Sequence, residues 1–492
     1  MIIFGGEGIM DLNSLKGQYI EFLSKKEMDD IHYATLDILK NTGVKVFHKT
    51  AMKIFADAGA DVNFETEIVK IPPQLVEDAI EKTPHEFIWH ARNPEKDLKM
   101  GGNIIHFSPA ALCPFIYDLE TGKRRNATYS DCVNLSRIAD SLERLSDAFC
   151  MVYPQDVPET LAHIYILKAI AENSDKCIRG RIYGSQIAKD SIRVAEIVAK
   201  GDRNLANKPN MIALIDAVSP LQMDDNQVGG MIEYVKRGLP VIIACEITSG
   251  GTGPATIAGT LVLQNAEILS HIVLAQAIRP ATPLIYGTSS SVMDMRNANL
   301  RYGAVELGMI NVATAQLARY YKIPSRGAAG FTDSKVLDMQ AGYEFAITLL
   351  IAALGGVNLI MQTAGGLDLG MSISYEKVVI DHEILGSMVR AIQGIKVDPE
   401  ALAVDVIKSI GPGGHFLSHP HTLENFKKEH FIPVLADTDK YSIWEKGGAK
   451  EIKERAKEQV KKILQAYEPK PLDKPVQEEL DLFVKEVERR AI

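Results

Sequence analysis

The chain has 492 residues, of which 46% are hydrophobic and 24% charged, and its formal net charge at pH 7 is -9. This composition supplies ample apolar material for a packed core and carries no signature of intrinsic disorder. The net charge is negative, and no run of Lys and Arg stands apart as a stripe that could bind a nucleic-acid backbone, so nucleic acid is not expected as a partner.

Helical patterns alternate with short extended segments over the first hundred residues, for example at 28–42 and 43–47. We therefore expect residues 1–100 to form a cap that packs on the main domain. The first ten residues contain Glu7 and no basic stretch ahead of an apolar segment, so the sequence predicts no secretory signal and a cytoplasmic location.

From residue 104 onward, short apolar runs recur at spacings that leave room for a helix between each pair. Strands that alternate with helices in this way are typical of a closed parallel (β/α)8 TIM barrel, which we place at residues 101–370. Two apolar helical stripes follow, so residues 371–492 are predicted to form a C-terminal helical extension. The eight strand-like runs are 104–107, 148–153, 177–183, 211–217, 241–247, 283–288, 324–330 and 358–364.

The sequence contains no strong pattern for a membrane-spanning helix. The most apolar stretch, 346–361, is interrupted by Thr348, Gly355 and Asn358, so no membrane span is expected.

The five cysteines are scattered and form no CxxC pair, which favours buried free thiols over disulfides or a thiolate zinc site. No GxGxxG unit follows an early strand, so the chain shows no nucleotide-binding fingerprint of its own.

Barrel enzymes carry their sites where strands end, and the predicted strand ends here are rich in aromatic and charged residues. Period-two alternation places Arg179, Arg181 and Tyr183 on one side of their strand. Aromatic rings would hold a cation by their faces and an arginine would hold a carboxylate, so the set predicts a pocket for a zwitterion. The candidate residues are His106, Tyr153, Arg179, Arg181, Tyr183, Glu246, Tyr286, Arg326, Phe331 and Gln362.

A second candidate is the histidine-rich segment with His415, His419 and His421. It lies among Gly and Pro residues and lacks the HExxH helix of a catalytic zinc site. We therefore interpret it as a lid or packing loop and expect no metal on this chain, while a zinc-dependent methyltransferase or hydrolase using these histidines or Glu246 stays open as an alternative.

The stretch 324–344, with the sequence PSRGAAGFTDSKVLDMQAGYE, resembles the corrinoid-dependent trimethylamine methyltransferase family. The likeness continues through 259–267, the strand end at Tyr286 and Gly287, and the segment from Gly414 to Thr422. The resemblance implies a (β/α)8 barrel, in agreement with the strand pattern. It also implies a corrinoid carried by a partner protein as the methyl acceptor.

Val336 departs from the family pattern, because archaeal trimethylamine enzymes carry pyrrolysine at the matching position. The chain is therefore similar to the non-pyrrolysine branch, whose members demethylate quaternary amines. This implies glycine betaine as the first candidate substrate and dimethylglycine as the product, with proline betaine, carnitine or another betaine as alternatives. A ligand-binding barrel without catalytic activity is a further alternative, and a homo-oligomer is a possible state of the chain.

Overall fold

The computed structural model describes residues 20–200, 205–468 and 471–491. Eight parallel strands form one sheet in chain order, and each of the eight predicted runs contributes one of them. The predicted (β/α)8 barrel is therefore confirmed. The strands are β1 (His106–Phe107), β2 (Asp147–Ala148), β3 (Cys177–Arg179), β4 (Met211–Ala217), β5 (Val241–Cys245), β6 (Leu284–Thr288), β7 (Ser325–Ala328) and β8 (Leu359–Met361).

A helix follows each strand and packs on the outside of the barrel. The helix α8 falls beyond residue 370, so the last barrel helix lies in the segment that the sequence assigned to the C-terminal extension. The helices are α1 (Tyr129–Ser141), α2 (Glu159–Asn173), α3 (Ser185–Val198), α4 (Asp225–Lys236), α5 (Ile257–Ile278), α6 (Val305–Tyr320), α7 (Met339–Leu354) and α8 (Tyr375–Ile392).

The barrel closes between its first two strands. On one side β1 pairs in parallel with β8, with Leu359 opposite His106. On the other side Phe107 forms a parallel bridge with Leu145, and the backbone N–H of Ser146 donates to the carbonyl of Phe107 at 2.7 Å. Closure leaves the sheet without a free edge, and it brings the carboxyl ends of all eight strands to one mouth.

A hairpin of Glu86–Trp89 and Leu98–Gly101 fills the opposite, amino-terminal end of the barrel. Trp89 is fully buried there among inward-facing residues of the barrel strands such as Ile212 and Ile242. This end is closed by apolar side chains, so the carboxyl-terminal mouth is the end at which a barrel of this kind carries its site.

The N-terminal segment covers one flank of the barrel. Its helices Lys25–Asn41 and Pro73–Lys82 pack against α5. The helix α5 is the one described helix long and apolar enough to span a membrane, and 78% of its most apolar window is buried inside the protein. It is a core helix under a second layer. The remaining N-terminal elements are Val44–Val46, Lys49–Asp57, Asp61–Asn63, Ile68–Lys70 and Pro94–Lys96.

Small sheets border the connections after several strands. The pairs Phe115–Tyr117 with Arg124–Asn126, and Gly366–Leu367 with Ser372–Ser374, share one sheet. The strands Thr248–Ser249, Ser291–Asp294 and Asn299–Arg301 form another. The short elements Gln222–Met223 and Asp368–Gly370 complete the barrel connections.

Two long C-terminal helices pack on the barrel helices as the apolar stripes predict. Ile452–Ala466 lies against α8 and α1, and Lys474–Ala491 lies against α2 and α3. Three shorter helices, Val404–Ile410, Pro420–Glu429 and Tyr441–Lys446, contain no buried residue. The predicted free, buried state of the five cysteines is confirmed.

Candidate active site

The mouth of the barrel collects charged side chains from the ends of five strands and an amide from the end of a sixth. Period-two alternation explains the charged members, because Cys177 and Ile212 point into the barrel and the residues two and four positions later point the same way. It does not explain Gln362, which directly follows the inward-facing Met361. The set consists of Asp147 from β2, Arg179 and Arg181 from β3 and its end, Asp216 from β4, Glu246 after β5, Arg326 from β7 and Gln362 after β8.

Arg179 is buried and paired inside the barrel. Its Nε donates to Oδ2 of Asp147 at 2.6 Å, and its guanidinium carbon lies 3.9 Å from the ring centroid of Phe149. Burial lowers the pKa of Arg179, and the charge of Asp147 opposes that shift. The pair sits low in the mouth and connects β2 to β3.

Arg326 is 1% exposed and also committed to internal contacts. Its Nη1 donates to the carbonyl of Thr288 at 2.6 Å and to Oγ of Ser289 at 2.5 Å, and its Nε lies 3.0 Å from Sδ of Met361. Burial lowers its pKa, while the nearby charge of Asp216 raises it. These contacts connect β7 to β6 and β8.

Asp216 carries a buried carboxylate oxygen, Oδ1, that has no hydrogen-bond partner among the described residues. Burial raises its pKa, and the charge of Arg326 lowers it. Three more buried polar atoms in the mouth share this state, namely Oδ1 of Asp147, Nη2 of Arg179 and Oε1 of Gln362. Buried polar groups are normally satisfied, so this concentration indicates a place for a polar ligand.

Glu246 opens into the mouth and is held there by Tyr302. The hydroxyl of Tyr302 donates to Oε1 of Glu246, and the ring of Tyr302 meets that of Phe331 edge to face at 5.3 Å. Surrounding protein raises the pKa of Glu246, and the Tyr302 hydrogen bond opposes that shift. An acidic group and two aromatic rings therefore line this side of the mouth.

Arg181 differs from the other two arginines because the residue as a whole is only partly buried and its side chain makes no hydrogen bond or ion pair with a described residue. Burial lowers the pKa of its guanidinium, and the charge of Tyr153 opposes that shift. Only its backbone is tied, through Oγ of Ser191 at 3.1 Å. Its electrostatic neighbours include Tyr153, which is partly buried at the end of the β2 run. Tyr183 is 55% exposed and lies outside the enclosed part of the mouth.

The end of β8 adopts an unusual backbone conformation at Gln362, which has φ of 73° although it is not glycine. The following turn is fixed from behind, because the N–H of Gly365 donates to Oδ2 of Asp381 at 2.7 Å. Asp381 in turn pairs with buried Lys377, whose Nζ lies 2.7 Å from the same oxygen. Such local strain occurs most often at functional sites.

Two sequence candidates lie elsewhere. Tyr286 is fully buried between the barrel and its helices, where its hydroxyl donates to Oδ1 of Asn265 at 2.9 Å. Its neighbours Ile285 and Gly287 take the inward side of β6, so alternation points Tyr286 outward. His106 is buried against the hairpin at the sealed end, with Nε2 2.9 Å from the carbonyl of Lys99. Neither residue lines the mouth.

Val336 lies on the connection between β7 and α7 and is 52% exposed. It borders a surface groove of about 430 Å3 together with Asp294, Arg301 and Asp333. Among the histidines of the second candidate, Nδ1 of His419 accepts from the N–H of His421 at 3.1 Å and caps the helix Pro420–Glu429. Among the described residues, no group of three or more His, Cys, Asp or Glu side chains is arranged to hold a metal ion.

The sequence interpretation missed Asp147, Asp216 and Tyr302. Asp216 could have been predicted from the sequence, because it lies four residues after Ile212 in a run with clear period-two alternation. Asp147 precedes the predicted run by one residue. Tyr302 lies in the connection after β6, where no periodic pattern indicates which way a side chain points.

Comparison with known proteins gives a consistent result. The model of the family described as trimethylamine methyltransferase (MTTB) matches residues 11–491. A glycine betaine methyltransferase of Desulfitobacterium hafniense (strain Y51) is 40% identical over 463 residues, which cover 94% of this chain and 96% of that protein. A trimethylamine methyltransferase MttB of D. hafniense (strain DSM 10664 / DCB-2) is 37% identical, covering 94% and 93% respectively.

Among solved structures, the monomethylamine methyltransferase (MtmB) of Methanosarcina barkeri is 12% identical with a TM-score of 0.48, covering 93% of this chain and 96% of that one. The family match spans nearly the whole sequence, and both relatives from Desulfitobacterium exceed 30% identity over nearly their full length. The chain therefore belongs to the trimethylamine methyltransferase family.

Proposed function

We propose that this methyltransferase takes a methyl group from a quaternary amine that also carries a carboxylate, with glycine betaine first. The acceptor is cobalt(I) of a corrinoid on a separate cognate protein, and the product is dimethylglycine. The single observation that carries the choice of substrate is Arg181, a mouth arginine with no side-chain partner among the described residues. Its planar fork suits a carboxylate.

The other charges of the mouth fit the cationic end of the same substrate. Arg179 is paired with Asp147, and Arg326 already donates to Thr288 and Ser289. Asp216 and Glu246 then remain as acidic groups near the barrel axis, with the rings of Tyr302 and Phe331 beside them. Carboxylates and aromatic faces both attract a trimethylammonium group. Separate acidic and basic ends match a zwitterion better than a simple cation.

The reaction needs positioning more than proton transfer. A carbon–nitrogen bond of the quaternary amine breaks, the electron pair stays on nitrogen, and the methyl group bonds to cobalt(I), which supplies the two electrons. The amine leaves neutral, so no acid is required to form it. The chain's own task is to hold the methyl in line at the mouth and to exclude water.

Val336 supports a quaternary rather than a tertiary amine. Valine contains no electrophilic group, so the position that matches pyrrolysine in the family resemblance offers no means to activate neutral trimethylamine. The relative named as a glycine betaine methyltransferase is 40% identical, whereas the one named as a trimethylamine methyltransferase is 37% identical. The side chain of Arg181, which has no partner in the described part of the chain, and the valine at position 336, rather than this small difference in identity, support glycine betaine.

The open mouth also supports the two-protein arrangement, because the opposite end is sealed by the hairpin that carries Trp89. We infer that the corrinoid protein docks at the carboxyl-terminal mouth and that both proteins act in the cytoplasm. Proline betaine and carnitine remain alternative substrates, since each combines a quaternary nitrogen with a carboxylate.

The test is a substrate panel with chemically reduced cobalamin and, in parallel, a reduced corrinoid protein. Glycine betaine, proline betaine, carnitine, choline and trimethylamine are supplied singly, and methylcobalamin and the amine product are quantified. We expect turnover with at least one betaine and little with choline or trimethylamine. Equal rates for choline or trimethylamine would refute the carboxylate site, and turnover without any corrinoid would refute the acceptor.

A further inference from the structure

The barrel helix α7 presents an outer face that carries no charge. Its only charged residue, Glu344, is buried and accepts from the N–H of Asp333 at 2.8 Å. Met339, Tyr343 and Ile347 follow one another at four-residue spacing, so they form one stripe. They are 86%, 52% and 45% exposed, respectively. Outer barrel helices normally turn a polar face to solvent.

A second barrel helix with a similarly apolar sequence, α5, is covered by other parts of the chain. The helix α5 also carries a single Asp, Glu, Lys or Arg residue, the buried Glu267, and the N-terminal helices Lys25–Asn41 and Pro73–Lys82 form a protein layer over it. No described residue provides such a layer over Met339, Tyr343 and Ile347. The sequence of α7 is therefore that of a covered helix, although its stripe is open in the single chain.

The chain also contains a segment with many apolar side chains that are not buried against the rest of the chain. Residues 395–428, here called the arm, leave the end of α8 and return to it, and no arm residue is buried. The arm contains the 7-residue helix Val404–Ile410 and all but the last residue of the 10-residue helix Pro420–Glu429. Its most exposed large apolar side chains include Ile395 and Leu417, both 86% exposed, and Leu423, 75% exposed.

The arm begins just after α8, and the residues that follow the arm are fixed on the same helix. Arg390 donates from Nε to the carbonyl of Glu429 at 2.6 Å, just past the arm. Glu383 accepts from the N–H groups of Val434 and Ala436 at 2.6 and 2.8 Å. The arm is therefore held at a defined place beside α8. Isolated helices as short as those of the arm are only marginally stable in water. Because its helices are short and exposed in the single chain, we expect a permanent protein partner to bury their apolar side chains.

We propose that the arm of one chain packs on the apolar stripe of α7 in a second copy, and that the exchange is reciprocal about a two-fold axis. Four lysines and four carboxylates balance within the arm, so neither surface carries net charge. Neutral apolar contacts are typical of permanent homodimers. The 34 arm residues reach the roughly 20–30 residues a side of a standard interface before the α7 stripe is added.

A second copy fits these surfaces better than the corrinoid protein does. The corrinoid protein has to leave after each methyl transfer, so it cannot be the permanent partner that short helices require. It also approaches the mouth of the barrel, whereas the α7 stripe runs along the side. Two-fold exchange closes the assembly, because each copy offers one arm and one stripe.

The decisive experiment is cross-linking between two differently tagged chains that are expressed together. One carries Ile347→Cys and the other Leu417→Cys, and the five natural cysteines do not interfere because all are buried. A short bismaleimide should give a product that carries both tags, at twice the chain mass of 54.1 kDa. A chain with both substitutions that cross-links only within itself would overturn the proposal, since its arm would then cover its own α7.

Sedimentation velocity provides the independent test and needs no substrate or corrinoid, so its result is separate from the proposed function. The unmodified chain should sediment as a dimer, and Ile347→Lys or Leu417→Lys should halve the mass. The matched control is Leu482→Lys, at a 67% exposed position on the last helix, which should leave the dimer intact. A monomeric unmodified chain, or a dimer that survives both arm and stripe variants, would refute the proposal.

Discussion

The hydroxyl of Tyr302 donates a hydrogen bond to the carboxylate of Glu246, which connects the segment after β6 to the end of β5. Phe331, after β7, meets the same tyrosine ring at 5.3 Å. One wall of the mouth is therefore made by three adjacent barrel connections. A change in any one of these residues should alter the charge or shape of the other two.

Tyr302→Phe should shift the acid limb of the pH profile to higher pH. The hydroxyl stabilises ionised Glu246, so its removal raises the pKa of that carboxyl beyond the rise already caused by the surrounding protein. More Glu246 is then protonated at a given acidic pH, and attraction for the ammonium group weakens. The measurement is kcat/KM for glycine betaine across the acid range, with Tyr33→Phe, at a 66% exposed position, as the control. A profile that does not move would show that Glu246 is not the group that titrates.

Arg181→Ala should raise KM for glycine betaine about tenfold or more. A hydrogen bond to a charged group contributes about 1.5–3 kcal/mol, and 1.4 kcal/mol corresponds to a factor of ten. The residual rate on choline, which has no carboxylate, should not change. Arg181→Lys should recover part of the loss, because it restores the charge without the planar fork. Steady-state kinetics with both substrates checks this, and an equal loss for both would point to general damage of the mouth.

Arg326→Ala is expected to act differently. Its guanidinium is buried and already donates to Thr288 and Ser289, so the substitution removes contacts between barrel strands. Besides weaker use of betaine, this variant should unfold at a lower urea concentration, whereas Arg181→Ala should unfold like the unmodified chain. If both variants unfold at the same urea concentration, Arg326 does not have a structural role that Arg181 lacks.

The barrel was predictable because each strand is a short apolar run, and helices such as α7 fill the gaps with their own period. The site was less so. Strand ends predicted Arg181 and Glu246, and both lie at the mouth. They also predicted Tyr286, which points away from the mouth, because a buried strand is apolar on both faces and its sequence does not show which side faces inward. His106 stands at the sealed end, which only the hairpin with Trp89 reveals.

Gly366→Ala should reduce activity by displacing Phe331. A Cβ at this position would lie 2.3 Å from Cδ1 of the Phe331 ring, so the ring has to move away. Overpacking of this kind costs about 1–3 kcal/mol of stability. The matched control is Gly342→Ala on α7, where an added Cβ meets nothing within 4 Å and should stabilise the helix by about 0.5–1 kcal/mol. Thermal denaturation and kcat/KM together check this pair, and unchanged activity in Gly366→Ala would separate Phe331 from the site.

Asp381→Asn should destabilise the protein by about 3–5 kcal/mol, because it leaves the buried ammonium of Lys377 without its counter-charge. The amide can still accept from the N–H of Gly365, so the turn behind Gln362 keeps one contact. The double variant Lys377→Met with Asp381→Asn removes both charges and should recover much of the loss, since no unpaired ion remains. Urea unfolding of the two single variants and the double variant gives the coupling energy. If the double variant is as unstable as the sum of the single variants, the pair does not interact, and the support for the end of β8 comes from packing alone.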